Sequence, residues 1–245
     1  DCPQARLELL FRGGVLLDQG GISNVLVRST ALGLVAIGQT MVILAGKLDL
    51  SVAYLVGLSS LIAAETMAGD PAMIGPAVAL TIVCAAGVGL VNGLVVTRFK
   101  VNAFIATLGT GLVIRGYLED SYDGPAGNVP TAFQHLGYDR IGPVPVSTVL
   151  MLGLAVLAWW FLTRTRPGYH VYAVGGGEEV ARFSGIRTER IVVLAHVLCS
   201  VAAGLAGLFL ASRLGAGAPW VGTDGGYDLE SIAAVVVVVV RPRAE

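Results

Sequence analysis

Charge is what this chain has least of. Of its 245 residues only 13% are charged against 55% hydrophobic, and mean hydropathy is +0.76. A soluble domain carries about 25% charged residues, so a water-facing globular domain is excluded. A net charge of −1 leaves no electrostatic footprint for nucleic acid. Cysteine is scarce too: Cys2, Cys84 and Cys199 lie far apart, which excludes a disulfide framework and any metal-ligand spacing. A phosphate-binding loop is missing, because Gly46-Lys47 lacks the upstream glycine and the following hydroxyl residue. The chain therefore cannot hydrolyse ATP by that route, and no cofactor of its own is expected. Arrays of acids inside the apolar runs are also missing. Glu65 is the only acid well inside one, near its end, which disfavours an ion-coupled secondary transporter.

What is present is a series of apolar runs of spanning length. Val27–Ala45, Leu50–Ala68, Met73–Thr97, Val146–Thr163 and Ile191–Ser212 each approach or exceed the roughly 20 residues a membrane helix needs. Val101–Leu118 is poorer, holding Asn102, Thr107, Thr110 and Arg115, and is either a full or a re-entrant crossing. Glu230–Val240 is too short to cross before Arg241. The fold expected is an all-α polytopic membrane protein, a bundle of about six to seven transmembrane helices. Residues 1–26 are expected to be the remnant of an earlier helix, 27–240 the membrane domain and 241–245 an atypical tail. The chain opens on Asp-Cys-Pro-Gln without an initiator methionine or a signal-peptide pattern, and closes on RPRAE after six valines. Both ends are expected to be cut, leaving part of the bundle surface unpartnered.

Basic residues set the orientation. The 164–190 loop carries Arg164, Arg166, Arg182, Arg187 and Arg190, and the turn after Thr97 carries Arg98 and Lys100; the Glu119–Pro145 loop is acidic. By the positive-inside rule the first two are cytoplasmic and the third is outside. Counting Val101–Leu118 as a crossing makes them alternate correctly.

The 164–190 loop is patterned beyond a spacer. Gly175, Gly176 and Gly177 break the preceding element, and the last can cap a new helix. Glu178 and Glu179 fall in its first turn and Arg182 near its end, matching the helix dipole. Gly185 suits the left-handed position after the last turn, with Ile186 folding back. A helix over Glu178–Ser184 is too short to stand alone in water. Charge pattern alone leaves a solvated loop and a partner-docking element both open.

Polar groups inside the runs are mostly neutral: Gln39, Thr40, Ser59, Ser60, Asn92, Asn102, Thr107, Thr110, His196 and Ser200. Amides and hydroxyls along a path exchange hydrogen bonds with a neutral polyhydroxylated solute without imposing charge, and Gln39, Asn92, Asn102 and Thr107 are the candidate lining. Ser and Thr equally satisfy their own helix backbones. His196 with Ser59 or Ser60 would make an intramembrane serine hydrolase pair only if the fold brought them together.

Three stretches together resemble the ribose/xylose/arabinose branch of bacterial ABC importer permeases. They are ILAGKLDLSVAYLVGLSS (Ile43–Ser60), NGLVVTRFKVNAFIATLGT (Asn92–Thr110) and GYHVYAVGGGEEVARFSGI (Gly168–Ile186), with GYDLESIAA (Gly226–Ala234) a weaker fourth. The resemblance implies a permease subunit in the bacterial inner membrane that translocates a monosaccharide and is not itself an enzyme. It implies a cytoplasmic ATPase subunit that binds the ATP, an extracytoplasmic sugar-binding protein and a second permease copy as partners. It also lays the family's coupling motif on Gly175, Gly176, Gly177, Glu178, Glu179, Ala181, Arg182 and Gly185, which would fit a cleft on the ATPase. Lys47 stands where that family usually has glycine, Gly177 where it often has asparagine and Asn102 where proline is common.

Overall fold

The computed structural model describes residues 19–142 and 144–239. The tail expected at 241–245 and residues 1–18 of the expected remnant lie outside them. Helix α1 (Gln19–Leu44) begins eight residues before the expected Val27, taking in Gly20 and Gly21. It is followed by α2 (Val52–Met67), a 3₁₀ turn (Pro71–Met73), α3 (Ile74–Arg98) and α4 (Ala103–Ser121). Next come α5 (Thr131–Tyr138), the short hairpin β1 (Arg140–Ile141) and β2 (Val144–Pro145), then α6 (Val146–Arg164). The cytoplasmic loop forms α7 (Arg166–Gly176) and α8 (Glu178–Phe183), before α9 (Thr188–Leu214), α10 (Val221–Asp224) and α11 (Tyr227–Val239).

The central post is α9, 27 residues long and buried along most of its length. It packs on α1, α2 and α3. Small residues let it come close: a Cβ on Gly89 or Gly93 of α3 would fall 2.6 Å from His196 O or Val193 Cα. Without a hydrophobic force between helices in lipid, such backbone approach supplies the van der Waals contact that holds them. The main core joins Val35 and Val42 of α1, Val52 and Leu55 of α2, and Val192, Ala203 and Phe209 of α9. Opposite this core, α3 and α6 turn large apolar side chains outward, Val83 and Val91 on one and Val156 and Leu157 on the other. Trp159 and Trp160 are exposed near the cytoplasmic end of α6, where an interfacial belt belongs.

Contacts between loops agree with the expected grouping of loops into two faces. At one end Lys47 meets Glu178. At the other, Gly69 N–H donates to Asn128 O (2.8 Å), Ala126 bridges Gly217 and Tyr138 Oη donates to Arg213 O (2.7 Å). α4 connects the two faces, with Asn102 at the face of Lys47 and Tyr122, just past its end, donating to Glu65 Oε2 at the other. It is one continuous helix of 19 residues.

Two stretches of backbone outside the long helices lie inside the bundle, one at each end of α2, the second running into the one-turn α10. Residues 46–51 enter it, with Asp49, Leu50 and Ser51 buried. Residues 215–222 turn back along it: Gly217 lies against Leu61, Pro219 against Gly57 and Gly222 against Ala53. That descent covers eight residues of α2, about 12 Å at 1.5 Å per residue. Such backbone is tolerated at membrane depth only where protein or a cavity surrounds it. The polar, glycine-rich 213–228 stretch is thus partly a re-entrant loop.

Candidate functional site

The 164–190 loop is a built platform. Thr165 starts α7, its Oγ1 accepting from Gly168 N–H (3.1 Å) with Pro167 in the first turn. That signature was available in the sequence, but the loop's charge masked the helix. Gly175 and Gly176 close α7, the preceding element that the glycines were expected to break. Gly175 presses on the last turn of α1, where a Cβ would clash with Leu44 O; Gly176 meets nothing within 4 Å. Gly177 is the single residue between α7 and α8.

α8 matches its expected bounds to one residue and is closed as anticipated. Gly185 takes φ +85°, its N–H donates to Arg182 O (3.0 Å) and Ile186 N–H donates to Ala181 O (3.1 Å). This is the paired bonding of a Schellman cap. Of the eight coupling-motif residues, Ala181 is buried on the molecule's own core, while Glu178, Glu179, Arg182 and Gly185 are exposed. Two apolar side chains that sequence reasoning passed over are also turned out, Val180 at 70% and Phe183 at 82% exposure. Their signal was the apolar pair at i, i+3 on a helix otherwise charged. Lys47 Nζ ties the platform to the loop below α2 through Glu178 Oε2 (2.9 Å).

Above this platform, three candidate path residues from three helices converge on segment 49–51. Gln39 Nε2 donates to Asp49 O (2.7 Å) and Asn92 Nδ2 donates to Ser51 Oγ (2.9 Å). Thr107 Oγ1 accepts from Leu50 N–H (3.0 Å). Asp49 Oδ1 receives both the N–H and the hydroxyl of Ser51, at 3.0 and 2.6 Å. Gln39, Asp49, Ser51, Asn92 and Thr107 all have 0% exposure, so the cluster satisfies the unwound backbone that opens α2. Asp49 and Ser51 were missed because a local Asp–Ser bond two residues apart reads as an exposed turn. Asn102 sits apart: it caps α4, accepting from Phe104 N–H (2.9 Å), and lines a cytoplasmic cavity of about 760 Å³ with Lys47, Lys100 and Arg182.

The hydrolase pair does not assemble. His196 Nδ1 lies 2.9 Å from Val192 O, a turn back on its own helix. Ser60 Oγ donates to Gly57 O (2.7 Å) and accepts from Ala218 N–H (3.1 Å). Ser59 packs on Gly204 and Gly207, two or more turns along α9 from His196. No hydrogen bond joins His196 to either serine among the described residues. Asp49 is the one acid of 0% exposure among them, so no buried carboxylate pair forms either.

Residues 21–243 match a family described as branched-chain amino acid transport system / permease component. The chain is 38% identical over 221 residues to the ribose import permease protein of Escherichia coli (strain K12), covering 87% of this chain and 67% of that protein. It is 37% identical over 226 residues to the ribose import permease protein of Bacillus subtilis (strain 168), with coverage of 90% and 69%. It is 31% identical over 227 residues to the D-allose transport system permease protein of Escherichia coli (strain K12), with coverage of 90% and 68%. No solved structure matches.

Proposed function

The chain belongs to the branched-chain amino acid transport system / permease component family, and from that premise we propose that it is the membrane permease subunit of an ATP-driven sugar importer in the bacterial inner membrane. The family description names amino acids, whereas the relatives at 31–38% identity import ribose or transport D-allose. Lacking a phosphate-binding loop, the subunit takes its drive from a separate cytoplasmic ATPase, receives sugar from an extracytoplasmic binding protein and works with a second permease copy.

The platform geometry carries this reading. α8 is capped at its end, anchored inward by Ala181 and joined to the α2 entry by Lys47, while Val180 and Phe183 project into the aqueous phase. A six-residue helix held this firmly yet presenting two bare apolar side chains suits insertion into a partner's cleft. Closure of the ATPase pair would then displace the platform and, through segment 46–51, the helix ends that meet there.

The test is capture of the cognate ATPase by the membrane-embedded chain. Phe183→Asp removes an anchor of the kind worth about 2 kcal/mol or more at an interface, so capture is expected to fall roughly thirtyfold with insertion unchanged. Equal ATPase recovery by Phe183→Asp and parent would overturn the docking role. ATP-dependent uptake of D-ribose, D-allose and L-leucine then separates sugar from amino-acid import.

A further inference from the structure

α4 carries a contradiction for a helix bathed in lipid. Arg115 and Glu119 stand one turn apart, their side chains 52% and 64% exposed, on a helix that crosses the whole bundle. Charges facing hydrocarbon are expensive, so side chains of this kind turn to a water-filled space or to protein. The surface beside them is concave. A cavity of about 320 Å³ opens there between α4, Tyr54 of α2 and Trp220 of the re-entrant loop. Its outer edge is Tyr122, which donates to Glu65. Its inner end is Tyr54, whose ring lies against Gly111 of α4, as does Ser51 of the buried segment.

The lining has a definite chemistry. Arg115 Nε and Glu119 Oε1 pair at 2.7 Å, so their charges offset each other while leaving a fork of donors and a carboxylate with open acceptor sites. Tyr54, Tyr122 and Trp220 add three amphipathic rings. A neutral ring bearing hydroxyls on its edge and C–H groups on its faces matches that combination. An amino acid would bring two full charges to a pair already neutralised. The volume is at the lower end of small-molecule sites, about 300–1,000 Å³, which suits a single sugar ring.

Position adds a second argument. The same helix, α4, lines the cytoplasmic cavity through Asn102, Ala103 and Phe104. Between the two cavities Thr107 and Gly111 of α4 meet Leu50, Ser51 and Tyr54. Two cavities on one helix, on either side of a short unwound segment, are the two ends of an interrupted path.

We propose that the cavity bounded by Tyr54, Arg115, Glu119, Tyr122 and Trp220 is a monosaccharide-binding site in the outer half of this path. The inference rests on the sugar-import reading above and locates it on this chain.

The full chain in lipid nanodiscs, carrying Trp159→Phe and Trp160→Phe so that Trp220 is its one tryptophan, is titrated with D-ribose and D-allose. A saturable change in Trp220 emission with either sugar, absent with L-leucine and lost in Glu119→Gln, is expected. In cells holding the ATPase and the binding protein, Trp220→Ala and Glu119→Gln should lower sugar uptake at least tenfold, with Trp220→Phe restoring most of it. ATPase capture through Phe183 should be unchanged in all three. Sugar uptake by the parent with both variants within twofold of it overturns the site and leaves the sugar-import reading standing. Uptake of L-leucine and of neither sugar overturns both. Loss of a dimer in Trp220→Ala without any sugar-dependent emission shows instead that the concavity seats a second copy, and overturns the site.

Discussion

The two unwound segments that flank α2 solve one problem by opposite means. Segment 46–51, at the cytoplasmic side, is satisfied by side chains: Gln39, Asp49, Ser51, Asn92 and Thr107 reach its backbone and one another from three helices and the segment itself. Segment 215–222, descending from the outer side, is satisfied by closeness. Its glycines lie so near α2 that a Cβ on Gly217 would fall 2.5 Å from Leu61 Cα, and one on Gly222 would overlap Ala53 O. Backbone bonds from Ala126 and Val129 reach Gly217 and Gly215, and side-chain bonds come only from Ser60 Oγ at Ala218 and Thr223 Oγ1 at Trp220 O among the described residues. Directional bonds can be loosened one at a time. Backbone contact has no slack, because interiors are packed near crystal density. The first segment is therefore suited to rearrangement and the second to holding still.

Substitution should expose that difference, most sharply on the glycine side. Gly222→Ala forces a methyl into the Ala53 carbonyl, and its cost is expected at about 3 kcal/mol or more, seen as a lower thermal unfolding midpoint in detergent. A midpoint within a degree of the parent would break the comparison. Next, Asp49→Ala strands the buried N–H and hydroxyl of Ser51, for about 2–3 kcal/mol. Asp49→Asn keeps the accepting Oδ1 and replaces Oδ2, which has no protein donor, so it should retain most of the stability lost in Asp49→Ala. Equal losses in the two variants would mean that charge, not the hydrogen bonds, holds the segment. Lys47→Met removes a partly exposed ion pair worth about 0.2–1 kcal/mol. Its difference from the parent should shrink as salt rises, read from midpoints at low and high ionic strength. Smallest of all is Gly177→Asn. Nothing but Val180 lies within 4 Å of a Cβ there and its φ of 167° is extended backbone, so an asparagine cap should fit and gain a few tenths of a kcal/mol. A marked loss at Gly177 would show that the cytoplasmic glycines are packed like the outer ones.

Legibility in the sequence followed the range of the interaction. Apolar length announced α1, α2, α3, α6 and α9, and charge asymmetry fixed which loops share a face. The end of α8 was readable to within one residue, because Glu178, Arg182 and Gly185 act within a single turn or cap. α5, the β1–β2 hairpin and α7 were hidden in loops judged by polarity. Asp49 looked like a turn residue, since the groups that bury it come from Gln39, Asn92 and Thr107, at sequence distances no local pattern spans. The descent of residues 215–222 was equally invisible: glycine marks a possible close approach but not the surface approached. Trp220 and Tyr54, 166 positions apart in the chain, meet only because that loop turns inward.

One dimension of α2 has a further consequence. At 16 residues it is about 24 Å long, shorter than the roughly 30 Å hydrocarbon layer around it. A helix that short, facing lipid, would thin the bilayer or draw its ends inward, at a cost rising with each ångström of mismatch. α2 is spared this because α3, α4, α9, α10, α11 and the re-entrant loop surround it. Membrane thickness is instead felt by α3 and α6, whose apolar side chains face outward. A change in bilayer composition would thus strain the outer wall of the bundle while its innermost helix, with both unwound ends, kept its length.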